Sequence, residues 1–160
     1  MADATTYNHS TSATLYDSLG NPLTMTMYYR KTANNEWAVY SRINNPNVST
    51  ITTGSGTAAG DNPYMLGNGT AASLTFNTDG TLATPSNGTL SFGTYQSVAG
   101  AAPLTVTLDI GSGLTGTTQH GKTFSVRDLN QVGYAAAELT GVQIDKTGVI
   151  KARYTNGQTK

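Results

Sequence analysis

The chain contains no cysteine, which excludes disulfides and thiolate-held zinc or iron–sulfur centres. Charge is nearly as scarce. Only 11% of residues are charged, and nine basic and nine acidic side chains cancel to a formal net charge of zero. Without a basic field to neutralise phosphates, no nucleic-acid partner is expected. Long-range self-repulsion is missing too, so close association between copies is electrostatically permitted. No run approaches the ~18–20 consecutive apolar residues of a membrane-spanning helix. The opening MADATTYNHSTS has neither the basic start nor the apolar run of a signal peptide. No membrane partner is expected. Helix-forming runs of Glu, Lys, Leu and Gln are also sparse.

What the chain does have is Thr, Gly, Asn and Ser, in 160 residues that suit one domain with a real core. Thr is β-branched, while Gly and Asn accept positive φ, so the composition favours strands joined by tight turns. In LTMTMYY, Leu23, Met25, Met27 and Tyr29 alternate with Thr24, Thr26, Tyr28 and Arg30, the period-2 pattern of a half-buried strand. SATLYDS, with Leu15 as a core candidate, pairs with it through a turn carrying Asp17, Gly20 and Asn21. Trp37, Val39 and Ser41 alternate with Ala38, Tyr40 and Arg42 in a third strand, giving an antiparallel meander.

Residues 44–69 have a loop composition, with a brief strand expected at Ser49–Thr53. SLTF, ending at Phe76, and Thr81-Leu82 flank a turn containing Asp79 and Gly80, which predicts a second hairpin. LTVTLDI, Leu104–Ile110, alternates as a strand with Leu108 as a core candidate; TFSVR, Thr123–Arg127, is a further possible strand. YAAAEL, Tyr134–Leu139, is the one segment with helical propensity. GVQID, Lys146-Thr147-Gly148 and VIKARY form a terminal hairpin. Its turn residues are Asp145 and Gly148, its core candidates Val142, Ile144, Ile150 and Tyr154, and Asn156-Gly157 supplies one more turn. The fold class expected is all-β: a single antiparallel β-sandwich or partly open β-barrel of short strands and hairpins, with little helix.

The inventory for chemistry is thin. His9 and His120 sit in polar, Gly/Ser/Thr-rich surroundings and read as solvated loop residues; no G-x-S-x-G elbow accompanies them. Asp109, Asp128, Glu138 and Asp145 are the carboxylates that a glycoside hydrolase would need in pairs, but they read as surface or turn groups. DSLGN and NTDG lack the alternating oxygen ligands and distant Glu of a calcium loop, and GSGLTG lacks the Gly-Lys-Ser/Thr of a phosphate loop. Trp37, Tyr28, Tyr29 and Tyr40 crowd one hairpin; they read as core or interface packing, with sugar stacking as the alternative. No catalytic residue, cofactor or metal is expected.

Three blocks in order carry a family resemblance. TLYDSLGNPLTMTMYYRKTANNEWAVY, LTFNTDGTL and GYAAAELTGVQIDKTGVIKARYTNGQTK resemble corresponding elements of bacterial flagellar hook proteins and cover about half the chain. Ala137 stands where that family often has Gly, and Val132 and Lys146-Thr147 replace commonly acidic turn positions. Residues 44–72 and 84–102 match nothing in the pattern, and the long terminal helices of a complete hook subunit are absent.

The resemblance implies an excised outer β-domain, residues 13–157, with residues 1–12 and 158–160 as linkers to a parent chain. It implies a structural, non-enzymatic role: the outer part of a curved, flexible tube that passes motor torque to the filament through weak sliding contacts. A glycan- or ligand-binding β-module is the alternative. The implied partners are copies of the same subunit and other flagellar axial proteins through the parent chain. The isolated fragment is expected to be monomeric, with flexibility at residues 3–12 and 158–160. The implied location is extracellular, in the hook, after passage through the flagellar secretion apparatus.

Overall fold

A computed structural model describes residues 5–46, 64–112, 116–121 and 123–160, the side chains of residues 64, 65, 68 and 69 aside. The expected strand at Ser49–Thr53 lies outside the described residues. Within them the chain is all-β, with antiparallel pairing throughout and one short 3-10 turn at Leu66–Gly69.

The meander forms as its alternation dictates. β1 (His9–Tyr16) pairs with β2 (Pro22–Ala33), setting Leu15 opposite Leu23 and Ala13 opposite Met25. β2 pairs with β3 (Glu36–Asn44), setting Met25 opposite Ile43 and Met27 opposite Ser41. β4 (Tyr64–Met65) and β5 (Ala72–Phe76) both pair with β3, and β6 (Leu82–Thr84) closes the six-stranded sheet beyond β5. A separate hairpin, β7 (Thr89–Tyr95) with β8 (Leu104–Asp109), supplies the second layer. Leu23, Met25, Met27, Val39, Ile43, Leu74, Phe76 and Leu82 from the large sheet join Leu90, Phe92, Tyr95 and Val106 from the small one in one core. Leu15, Trp37 and Leu108 pack against it at its margin. This is sandwich packing, with the wet faces of both sheets carrying Ser and Thr.

β7 lies in a stretch where sequence patterning shows no strand. Its register shifts between Ser91 and Thr94, so Leu90 and Phe92 point inward and then, one residue out of step, so does Tyr95. Gly93 takes φ +83° inside the shift, a conformation that glycine adopts without strain.

Residues 123–138 form neither strand nor helix. The strand expected at Thr123–Arg127 is absent because no sheet edge pairs with it. The helical turn expected at Tyr134–Leu139 is absent because the segment is extended, with Glu138 already bonded to Thr155. β9 (Leu139–Ile144) and β10 (Ile150–Tyr154) then form a two-stranded ribbon paired with neither layer of the body. Two linker expectations are corrected as well. Residues 9–12 open β1, because their backbone pairs with residues 26–29. Residues 158–160 fold back on β10, with Lys160 N–H donating to Ala152 carbonyl at 3.0 Å and Ala152 N–H returning a bond.

Candidate functional site

Among the described residues, no three His, Asp or Glu side chains come together as a metal site would require. Three of the four carboxylates weighed as hydrolase candidates serve their own turns, and Glu138 is exposed. Asp109 accepts from Gly111 N–H, and Asp128 from the Asn130 amide. Asp145 Oδ1 accepts from Thr147 N–H, Thr147 hydroxyl and Val149 N–H; these bonds hold its carboxyl below the ordinary range. His9 is not a loop residue. It sits on β1, stacked on Phe124 with centroids 4.6 Å apart and on Trp37 at 6.0 Å. His120 is exposed beside the Asn77–Gly80 turn.

The sugar-stacking alternative fails on geometry. Trp37 is half-buried under His9, and its Nε1–H donates to Gln119 Oε1 at 2.7 Å. Gln119 is held in turn by donating to Asn35 Oδ1 at 2.9 Å. Tyr29 leans on Phe124, and Tyr28 meets Tyr7 edge to face. Trp37, Tyr28 and Tyr29 thus pack on other rings, as core or interface aromatics do, and Tyr40 is half-buried.

The turns do share chemistry. Gly20, Gly80 and Gly148 N–H each donate to the carbonyl three residues earlier, at Asp17, Asn77 and Asp145. Asp79 Oδ1 accepts from Thr81, and Asn156 Oδ1 from Gln158 N–H beside Gly157. The first of these turns does more. Asp17 is only 6% exposed, yet among the described residues its carboxylate has no cationic partner. Oδ1 accepts from Leu19 N–H at 2.9 Å and Asn21 N–H at 2.8 Å; Oδ2 accepts from Asn21 Nδ2 at 2.9 Å and Ser97 hydroxyl at 2.6 Å. Burial by itself pushes the Asp17 carboxyl up, but the bonds from Ser97, Asn21 and Leu19 outweigh it, and the net direction is down. Asn45 extends the cluster by donating to Ser97 carbonyl at 2.8 Å and to Tyr95 hydroxyl at 3.4 Å. Ala102 N–H donates to Ser18 Oγ at 2.7 Å. The β1–β2 turn is thus clasped to the β7–β8 loop, across the two layers. Sequence patterning placed Asp17 in its turn, but Ser97, 80 residues away, carries no local signal.

That clasped turn is the seat of the extended segment. Gly20 takes φ +80°, and a methyl built on its α-carbon would overlap the Ala136 backbone. Only glycine satisfies both the conformation and the approach. Phe124 lies on His9 at the start of β1, and Gly133 lies against Tyr16 at its end, so residues 124–133 run the length of that strand.

Beyond the turn stands the ribbon. Cross-strand partners share a face, and the pairs Ile150–Ile144, Ala152–Val142 and Tyr154–Leu139 make one face wholly apolar. Gln143, Lys151 and Arg153 occupy the other, where Lys151 meets Asp145 at 3.8 Å. The core placement expected for Val142, Ile144 and Ile150 is corrected: they are 58%, 67% and 63% exposed. Tyr154 is half-buried. Their alternation is regular, but among the described residues nothing covers the face. Among those residues, apart from Leu19, every exposed large apolar side chain lies between Phe124 and Ile150.

A family model for the flagellar basal body protein FlaE D2 domain matches residues 1–134. The chain belongs to this family. Its FlaE D2 match stops just before the ribbon, but similarity to whole proteins continues through it. The chain is 31% identical over 158 residues to the flagellar hook protein FlgE of Salmonella typhimurium, a match that takes in 99% of this chain and 34% of that protein. It is 29% identical to the flagellar hook protein FlgE of Escherichia coli, again over 99% of this chain and 34% of the relative. The chain therefore spans about a third of the length of these relatives. The crystal structure of Helicobacter pylori flagellar hook protein FlgE2 shares the fold, with TM-score 0.53 at 14% identity over 95% of this chain and 30% of that one.

Proposed function

We propose that this FlaE D2 chain is the outer β-domain of a flagellar hook subunit, a structural and non-enzymatic part, carrying at its C-terminus the ribbon that docks it onto the rest of the subunit. The single observation behind this reading is the apolar face of the ribbon, whose Leu139, Val142, Ile144 and Ile150 are open to solvent although the other face is polar. Exposed apolar surface rimmed by polar groups marks a protein interface. Similarity to hook proteins three times as long supplies the class of occupant: the remainder of the same subunit. On this reading the two packed sheets form the body and the ribbon the attachment.

The body's own surface suits a tube that bends as it rotates. Ser10, Ser12, Thr14 and Thr24 face water, and side-chain bonding there is local, as between Ser12 and Thr26 hydroxyls at 3.0 Å. Small polar contacts between neighbouring copies slide and re-form, whereas a large apolar interface resists displacement. The partners proposed are copies of the subunit in the hook polymer and, through the parent chain, other axial proteins. The location is the extracellular hook, reached through the flagellar secretion apparatus.

Ile144→Asp together with Ile150→Asp tests the reading. In the isolated chain both side chains are exposed, so the midpoint of the body's thermal transition is expected to move by less than about 2 °C. In the full-length subunit the pair is expected to abolish hooks by electron microscopy and swimming by tracking. Normal hooks built from the doubly substituted subunit would remove the attachment role of the ribbon.

A further inference from the structure

The segment joining body to ribbon is held in an unusual way. Among the described residues, no backbone hydrogen bond joins residues 123–133 to the sheet they lie along. Asp128 accepts from Asn130 and Gln131 from Gly133 N–H, so the side-chain bonds inside the segment are local. Val132 turns outward at 92% exposure, while Val126 and Leu129, at 44% and 39%, are covered about as much as Phe124 at 37%. The attachment at the far end is firm: Gly133 and Ala136 sit against Tyr16 and Gly20, on the turn that Asp17 clasps. At the near end the contact is aromatic. Phe124 lies flat on the His9 ring, with 6° between planes, and tilts against Tyr29 at 5.4 Å; on its other side His9 is backed by Trp37.

We propose that residues 123–132 are a releasable strap with Phe124 as its latch. Lifting that one ring from His9 and Tyr29 frees the connection between body and ribbon without breaking a strand pair. Two opposing effects act on the seated strap: the ring contributes stacking and burial, while seating restricts the backbone of every residue in it. Resting on the reading above, the strap places compliance between body and attachment, leaving the two layers and their clasp rigid. It replaces the hinges expected at residues 3–12 and 158–160, which are paired from residue 9 onward and at the C-terminus.

The test needs only the chain itself, so it fails or succeeds independently of the hook reading. Amide 15N relaxation should give residues 123–132 order parameters near those of the sheet in the unaltered chain. Phe124→Ala should drop them below about 0.6 while β1–β3 stay unchanged, and Phe124→Tyr should restore them. In the cysteine-free background, spin labels on Thr107→Cys and Gln143→Cys report the distance between body and ribbon; Phe124→Ala should at least double the width of its distribution. The proposal is overturned if the unaltered strap is already as mobile as the variant, if Phe124→Ala leaves order parameters or distance width unchanged, or if it loosens β1–β3 as much as the strap.

Discussion

Tyr95→Ala is expected to destabilise the body by about 3–5 kcal/mol, the range for truncating a fully buried aromatic side chain. Tyr95 is 0% exposed and sits where the small sheet meets the large one, with its hydroxyl within reach of Asn45 Nδ2. Burial also pushes the phenol up from its ordinary value, so the neutral form persists across the working range. The loss has two parts: the cavity left between layers, and the withdrawn partner of a fully buried amide. Urea denaturation followed by Trp37 fluorescence measures it. A cost under about 1 kcal/mol would mean that the two sheets do not share a core. The contrasting substitution, Ile144→Ala on the ribbon, is expected within about 0.5 kcal/mol of zero, because a side chain 67% exposed has little burial to lose.

The second large effect is expected at the clasp. Asp17→Ala leaves the buried Ser97 hydroxyl and the partly buried N–H groups of Leu19 and Asn21 without their acceptor, at a cost of about 2–3 kcal/mol. The sign of the pH dependence follows from the depressed carboxyl. An unfolded carboxyl titrates at 3.8 and the folded one lower, so folding stability is fully present above the unfolded value. It is lost as pH falls through the folded value. Urea midpoints taken from about pH 6 to about pH 2 should therefore fall for the unaltered chain and fall less for Asp17→Ala. Equal slopes for the two would show that the clasp contributes nothing through its charge. Asp79 and Asp145 are also held low by their turns, but Asp79 is exposed and Asp145 partly so, and solvent screening leaves them little of this slope.

Much of this molecule was legible from its residues, for physical reasons. The alternation of Leu23, Met25 and Met27 selects one face of β2 because side chains on a strand repeat every two residues, and burying the Thr face would cost hydroxyl desolvation. Asp17, Asp79, Asp145 and Asn156 stand where a short polar side chain can accept the turn's own N–H groups. β7 was not legible, because the extra residue at Gly93 breaks the period between Phe92 and Tyr95. The Asp17–Ser97 bond was not legible, because it depends on the two layers coming together. His9 was misread as solvated because its surroundings in sequence, Asn8 and Ser10, are polar; its neighbours in space are Trp37 and Phe124.

The ribbon shows most clearly where patterning stops. Val142, Ile144 and Ile150 do share one face, as their alternation requires. Period tells which side chains lie together; it carries no information on what lies opposite them. Among the described residues nothing does, and on the proposed reading that open face is where the rest of the subunit docks.

The most direct measurement of that docking is solvent footprinting by hydroxyl radicals, read by mass spectrometry at Leu139, Val142, Ile144 and Ile150, in the isolated chain and in the full-length subunit. In the isolated chain these side chains are expected to be modified as readily as exposed reference residues. In the full-length subunit they are expected to be protected at least about tenfold, as burial of an apolar face against its partner requires, while Leu19 stays reactive in both. Equal modification of the ribbon in the two samples would contradict the account.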